Sequence, residues 1–204
     1  MKNSWISKDF LYVVFCMAVF ALSCSDDDST SPGGLTGETG VLKISLTDAP
    51  AEYDAVIVAF SEVAVHFGEE KVTEENTPVS KTAGEWIIIS DVDQEFNLLT
   101  LTEGATALLG EAELEEGLYT QLRLILSGAY LVIGEDEYTL DVPSNTLKFV
   151  SGFEIIADET TELLVDFDAY QSIHQTGNGR YKLKPTIQLI EITDGEENVI
   201  ANIE

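Results

Sequence analysis

The sequence predicts an all-β protein, an antiparallel Greek-key β-sandwich of immunoglobulin-like or prealbumin-like type, on three observations. Apolar residues recur with a period of two from Val41 onward, and turn residues interrupt them at short intervals. No stretch longer than about ten residues carries the three-and-four apolar spacing of an amphipathic helix. The 204 residues, 45% of them hydrophobic, suffice for one domain with its own core.

The first strand is V-L-K-I-S-L-T over 41–47, with Leu42, Ile44 and Leu46 on one face and Lys43, Ser45 and Thr47 on the other. Residues 55–67 form a second, in which Val56, Val58 and Phe60 share one parity and Val63, Val65 and Phe67 the other; the change at Ser61-Glu62 predicts a bulge or bend within a long strand. Residues 86–90 and 105–109 follow, with a short helical turn expected over 93–101, where Phe96, Leu99 and Thr100 share a face. The strongest strand is 118–127, with Leu118, Thr120, Leu122, Leu124 and Leu126 on one side and Tyr119, Gln121, Arg123 and Ile125 on the other. Just before it, Leu114-Glu115-Glu116-Gly117-Leu118-Tyr119 has the spacing of a tyrosine corner, in which a tyrosine at a strand start bonds back across a sheet crossing; a plain turn is the competing reading. The remaining strands are 130–133, 138–142, 146–150, 153–156, 161–168 and 181–192. They are punctuated by Gly134-Glu135-Asp136, Pro143-Ser144-Asn145, Ser151-Gly152, Ala157-Asp158-Glu159 and Thr176-Gly177-Asn178-Gly179.

Ahead of this domain, Lys2 and Lys8 precede an uncharged apolar run over 10–22, too short for a transmembrane helix and of the length of a signal-peptide hydrophobic region. Ala21-Leu22-Ser23-Cys24 then resembles the lipobox of bacterial lipoproteins, which implies cleavage before Cys24 and lipidation of its sulfur; an ordinary cleaved signal is the alternative. Each buried methylene of such a lipid contributes about 0.8 kcal/mol to anchoring. The organisation expected is a signal peptide over 1–23, a lipidated acidic and Ser/Gly-rich tether over 24–40, the sandwich over 41–193, and an acidic tail or edge strand over 194–204. The tether opens with Ser25-Asp26-Asp27-Asp28, which resembles the export tract of surface-displayed lipoproteins in some diderm bacteria, against the simpler reading of a soluble spacer. An outer-membrane lipoprotein exposed at the cell surface is the expected address.

Charge and cysteines exclude several function classes. With 37 acidic against 10 basic residues the formal charge is -27, so a nucleic-acid backbone would be repelled. Cys16 leaves with the signal peptide and Cys24 takes the lipid, which leaves no disulfide, thiolate zinc site or cysteine nucleophile.

Several motifs occur in a characteristic order: Leu46-Thr47-Asp48-Ala49-Pro50, Phe96-Asn97-Leu98-Leu99 with Gly104, Gly117-Leu118-Tyr119 with Arg123-Leu124, Val142-Pro143-Ser144, Val165-Asp166-Phe167-Asp168, and Tyr181-Lys182-Leu183-Lys184-Pro185. Over residues 40–192 the chain resembles the prokaryotic domain-of-unknown-function family 4382, found in secreted and lipid-anchored proteins. The resemblance implies a sandwich, an extracytoplasmic setting and no assigned chemistry.

Candidate chemistry is sparse. Asp166 and Asp168 lie two apart on a strand and project to one face, as an acid/base or cation-binding pair would. The preferred reading is structural, with Asp168 ending the strand and Asp166 pairing with Arg123. Asp91-Val92-Asp93-Gln94-Glu95 alternates oxygen ligands but lacks the glycine and distal glutamate of a calcium loop, so a solvated acidic loop is expected. His66 and His174 are far apart, and no nucleophile elbow, phosphate loop or dinucleotide fingerprint is present. No catalytic residue, cofactor or metal site is assigned; Cys24 is the one site residue. Trp86, Tyr130, Tyr138, Tyr170 and Tyr181 lie at strand edges or near loops, where rings can stack on sugars, although Trp86 beside Ile87-Ile88-Ile89 reads first as core. The function expected is a noncatalytic binding or interaction module with a glycan or surface-protein partner. The alternatives are an adhesin or fimbria-like subunit, with Val199, Ile200 and Ile203 in a donated strand, and a carbohydrate-active hydrolase using acidic residues.

Overall fold

The computed structural model describes residues 37–69 and 84–203. The segment expected as a signal peptide, Cys24 and the start of the expected tether lie outside the described residues.

The first strand, β1 (Thr39–Asp48), begins inside the stretch assigned to the tether and buries every second residue from Gly40 to Asp48, so the half-buried pattern read from Leu42, Ile44 and Leu46 extends in both directions. Next come β2 (Ala55–Glu69), β3 (Trp86–Ser90) and β4 (Gln94–Asn97). Asn97 then accepts a bond from the Leu99 amide at 3.3 Å and starts a 3-10 turn over Leu98–Thr100, so the helical turn expected over 93–101 is confined to its second half. The chain continues through β5 (Ala107–Glu115), β6 (Gly117–Ile133), β7 (Asp136–Asp141), β8 (Thr146–Ile155) and β9 (Thr160–Phe167). A one-turn helix, α1 (Ala169–Ser172), precedes β10 (Ile173–Gln175), β11 (Tyr181–Leu183), β12 (Ile187–Thr193) and β13 (Glu196–Ile203).

These strands form two sheets packed as a sandwich. One has the order β13-β12-β9-β1-β5; the other runs β10-β11-β7-β6-β2-β3, with β4 also on β2 and β8 also on β6. The core between them is continuous, with Leu42, Ile44, Val165, Phe167 and Leu189 from the first sheet meeting Val58, Val65, Tyr119, Leu122 and Phe149 from the second. The all-β class holds, but the pairing is mixed: β1 and β9 are parallel, as are β11 and β7. A period of two buries alternate residues whatever the direction of the neighbouring strand, so strand direction does not show in the pattern.

Bulges account for the other departures. The predicted shift at Ser61-Glu62 is present, because Phe60 faces Leu126 and Glu62 faces Ile125 with Ser61 unmatched. On β6 the same device occurs at Thr120 and Ser127. It turns Tyr119 into the core with Leu122, Leu124 and Leu126 and leaves Leu118 exposed, the reverse of the expected faces at that end. Gly128 stays within the strand, so the segments read as 118–127 and 130–133 are one. Ser151-Gly152 is likewise a bulge inside β8 rather than a turn. The segment read as 181–192 is instead two strands in different sheets, broken at Lys184-Pro185-Thr186, where proline cannot donate to a ladder.

The tyrosine corner is present. Between β5 and β6 the chain changes sheets through Glu116 alone, Gly117 takes φ 147°, and the buried Tyr119 hydroxyl donates to Glu115 O at 3.0 Å. Tyr119 also stacks on Phe153 and meets Phe67 edge-on, at 5.6 and 5.3 Å. The tail expected over 194–204 forms the edge strand β13, and Val199, Ile200 and Ile203 are held there against β12 of the same chain.

Candidate functional site

The most site-like feature arises where β7 and the β10–β11 hairpin extend the larger sheet. Tyr138 alternates with Leu140 on β7, and Leu140 stands opposite Tyr181 in the parallel β11 register, so both tyrosines share the inner face. Their rings meet edge-to-face, centroids 5.1 Å apart at 62°, with one side packed on the core and the other lining an open cleft of about 900 Å³. The opposite wall is the turn 176–180. The Thr176 amide donates to Arg180 O at 2.7 Å, the Gly179 amide donates to Thr176 O at 2.9 Å, and Gly179 takes the positive φ the turn requires. Arg180 is exposed and has no ion pair among the described residues, whereas Lys182 Nζ lies 3.6 Å from Asp141 Oδ2.

Two further tyrosines approach this end. Burial pushes the Tyr53 hydroxyl above its ordinary value, and the nearby Tyr170 and Tyr181 add to the effect. Tyr170 projects from α1, 62% exposed, on a helix started by Asp168, whose carboxylate accepts from the Gln171 amide at 2.8 Å. Of the five aromatics flagged from sequence, Tyr138, Tyr170 and Tyr181 are thus brought to one region. Tyr130 is not: it lies between buried Ala129 and Leu131 and faces the other side of the sheet. Tyr53 has no signal of its own, since it sits in a loop and the tyrosines near it, Tyr170 and Tyr181, are more than a hundred residues away in sequence.

Trp86 and Arg123 depart from expectation together. Trp86 is half-buried on the outer face of the larger sheet, with the Arg123 guanidinium 4.1 Å from its ring centroid and His66 edge-on at 5.0 Å. Arg123 pairs with Glu62 at 2.7 Å, not with Asp166, which lies on the other sheet. The reason is register: Ala64 stands opposite Arg123 on β2, which puts Glu62 a diagonal neighbour away on the same face. His66 Nδ1 bonds Thr120 Oγ1 at 2.9 Å, and His174 is exposed on β10, so the histidines do not converge. Asp91 and Asp93 are exposed in the turn between β3 and β4. Among the described residues no three His, Cys, Asp or Glu side chains are grouped to hold a metal ion.

The family model for a domain of unknown function (DUF4382) matches residues 39–185, most of the chain. The protein belongs to the DUF4382 family. No curated protein and no solved structure matches it. The matched region ends before β12 and β13, which nevertheless complete the smaller sheet, with Ile187 and Leu189 in the common core.

Within this DUF4382 domain the unexpected residue is Asp48, in the Leu46-Thr47-Asp48-Ala49-Pro50 motif. It keeps the inward parity of Leu46 and is only 5% exposed. Its Oδ1 accepts from the Ala169 amide at the start of α1 at 2.9 Å, and its Oδ2 is buried with no hydrogen-bond partner among the described residues. Burial pushes the carboxyl up from 3.8 to about 7, opposed by the Ala169 amide and reinforced by Asp168 and Asp166. Asp166 is raised as well, by burial first and then by Asp168 and Glu197. The two aspartates read from sequence as a pair therefore have a third beneath them, and Asp168 serves as a helix cap.

Proposed function

We propose that this DUF4382 protein is a noncatalytic glycan-binding module, anchored by lipid on Cys24 in the outer membrane, with the Tyr138–Tyr181 cleft as its binding surface. The observation that carries this reading is the pair of tyrosine rings, locked edge-to-face on the core and facing an open cleft walled by a hydrogen-bonded turn. Rings fixed in this way lose little side-chain entropy when a sugar stacks on them, and Asn178, Thr139 and Arg180 offer hydrogen bonds around them. Screening the purified protein on a glycan array, followed by calorimetry, should yield a binder whose affinity falls at least about tenfold in Tyr181→Ala, a loss of about 1.4 kcal/mol. Catalytic turnover of a bound glycan would overturn the noncatalytic reading.

The anchor is supported by the order of Lys2 and Lys8, the apolar run, Ala21-Leu22-Ser23 and Cys24. Cells fed labelled palmitate should incorporate it into the wild-type protein and not into Cys24→Ser, which should leave the membrane fraction; membrane retention of unlabelled Cys24→Ser would refute lipid anchoring.

A further inference from the structure

The charge around the cleft does not follow the charge of the chain. Acids outnumber bases 37 to 10 overall, yet the cleft is lined by two of each, Arg180 and Lys182 against Glu137 and Asp141. Asp141 is occupied by Lys182, and the Arg180 guanidinium at the rim of the tyrosine pair has no ion pair among the described residues. The basic surface also continues past the cleft. Lys182 on β11 and Lys184 just after it flank the buried Leu183 and are both exposed, and His174 stands opposite Lys182 in the β10 register; the three lie on the outer face of the hairpin, Tyr181 on the inner. The hairpin is thus a cationic finger at the end of the sheet, on an otherwise acidic molecule.

Such a finger is unfavourable for a neutral ligand, since solvated cations beside a stacking platform add nothing to its binding and lose hydration when covered. It suits a ligand that carries its own negative charges at sugar-sized spacing. Arginine presents a planar fork that donates two parallel hydrogen bonds to a carboxylate or sulfate, while the rings take the apolar face of the sugar. An acidic protein partner would use the same cations, but it would not need the two rings walled into a cleft.

We infer that the ligand of the Tyr138–Tyr181 cleft is an anionic polysaccharide, carboxylated or sulfated, whose charges are held by Arg180 at the rim of the cleft. The inference rests on the binding reading above and specifies its ligand class. Electrostatic contacts at exposed side chains are screened by salt, so binding must weaken as ionic strength rises.

The purified full-length protein would be run by affinity electrophoresis and calorimetry against polygalacturonate, dextran sulfate, and neutral xylan and dextran. One or both of the charged polymers should bind, at least about tenfold more tightly than the neutral ones, a difference of about 1.4 kcal/mol. Arg180→Gln should remove that preference without moving the melting temperature, and Tyr181→Ala should weaken binding of the charged polymer too. Equal or stronger binding of xylan would overturn the inference and leave the glycan-binding reading standing. Binding of charged polymers that ignores both Arg180→Gln and Tyr181→Ala would be ion exchange elsewhere on the surface and would overturn it as well. Retention of none of the four polymers would count against inference and reading together.

Discussion

Gly40→Ala should lower the melting temperature by about 10 °C, and more if the smaller sheet loses its parallel pair. A Cβ built on Gly40 would lie 2.1 Å from Ile156 O, 3.0 Å from Glu159 O and 3.0 Å from Ile155 Cγ2. Two of these atoms are backbone, in the turn that carries the chain from β8 in one sheet to β9 in the other. That turn is fastened to β1 by the Val41 amide donating to Glu159 O at 2.9 Å and the Asp158 amide donating to Thr39 O at 2.8 Å. Making room for a methyl group means lifting the turn off both bonds, which costs about 3 kcal/mol or more. In a domain of this size each kcal/mol moves the midpoint by about 2–4 °C. Gly128→Ala is the control, because a Cβ there has nothing within 4 Å. Thermal melts of the two variants should separate sharply, and equal melting temperatures would mean that the β8–β9 turn does not depend on Gly40.

Asp48→Asn should stabilise the protein at pH 8 by about 2 kcal/mol, a rise of about 5 °C, and should give no gain at pH 5. The folded carboxyl holds its proton until about pH 7, whereas the unfolded one releases it near 3.8. In that window the native state binds more protons, so stability falls as pH rises from about 4 to about 7 and stays low above it. Asparagine cannot ionise, yet its oxygen can still accept from the Ala169 amide. The gain is smaller than the full pKa displacement because the new amide needs an acceptor where Oδ2 now has no partner. Asp48→Ala separates the two contributions: it removes the charge but also the acceptor for Ala169, and should destabilise at pH 5. Melting curves from pH 5 to 8 provide the check, and parallel wild-type and Asp48→Asn profiles would show that Asp48 does not titrate in this range.

Most of the architecture was legible in the sequence wherever burial alone decides the pattern. The alternation of Leu42, Ile44 and Leu46, the parity change at Ser61-Glu62 and the Gly117-Leu118-Tyr119 corner each reflect a local rule, because a strand must turn one side to the core and a tyrosine corner is built within five residues. The errors fall where a local signal has two structural meanings. Ser151-Gly152 and Gly128 can end a strand or bulge it, and the choice depends on the partner strand, which for Gly128 is β2, more than sixty residues away. Asp48 carries no signal beyond its place in the Leu46-Thr47-Asp48-Ala49-Pro50 motif, because one polar residue continuing an apolar parity reads as the end of a strand. The long-range support for its burial, the Ala169 amide, arrives with α1 from far along the chain.

The sequence by itself determined the class, the strand periodicity, the absence of thiols after Cys24 and the membership in DUF4382, since each depends on residue type and short spacing. Only the tertiary structure decided that Arg123 answers Glu62 rather than Asp166, that β1 and β9 run parallel, and that Tyr53, Tyr138, Tyr170 and Tyr181 gather at one end. Those are facts of register and sheet order. Register is set by many weak cross-strand contacts acting together over the whole chain, and no single segment carries enough of them to announce its partner.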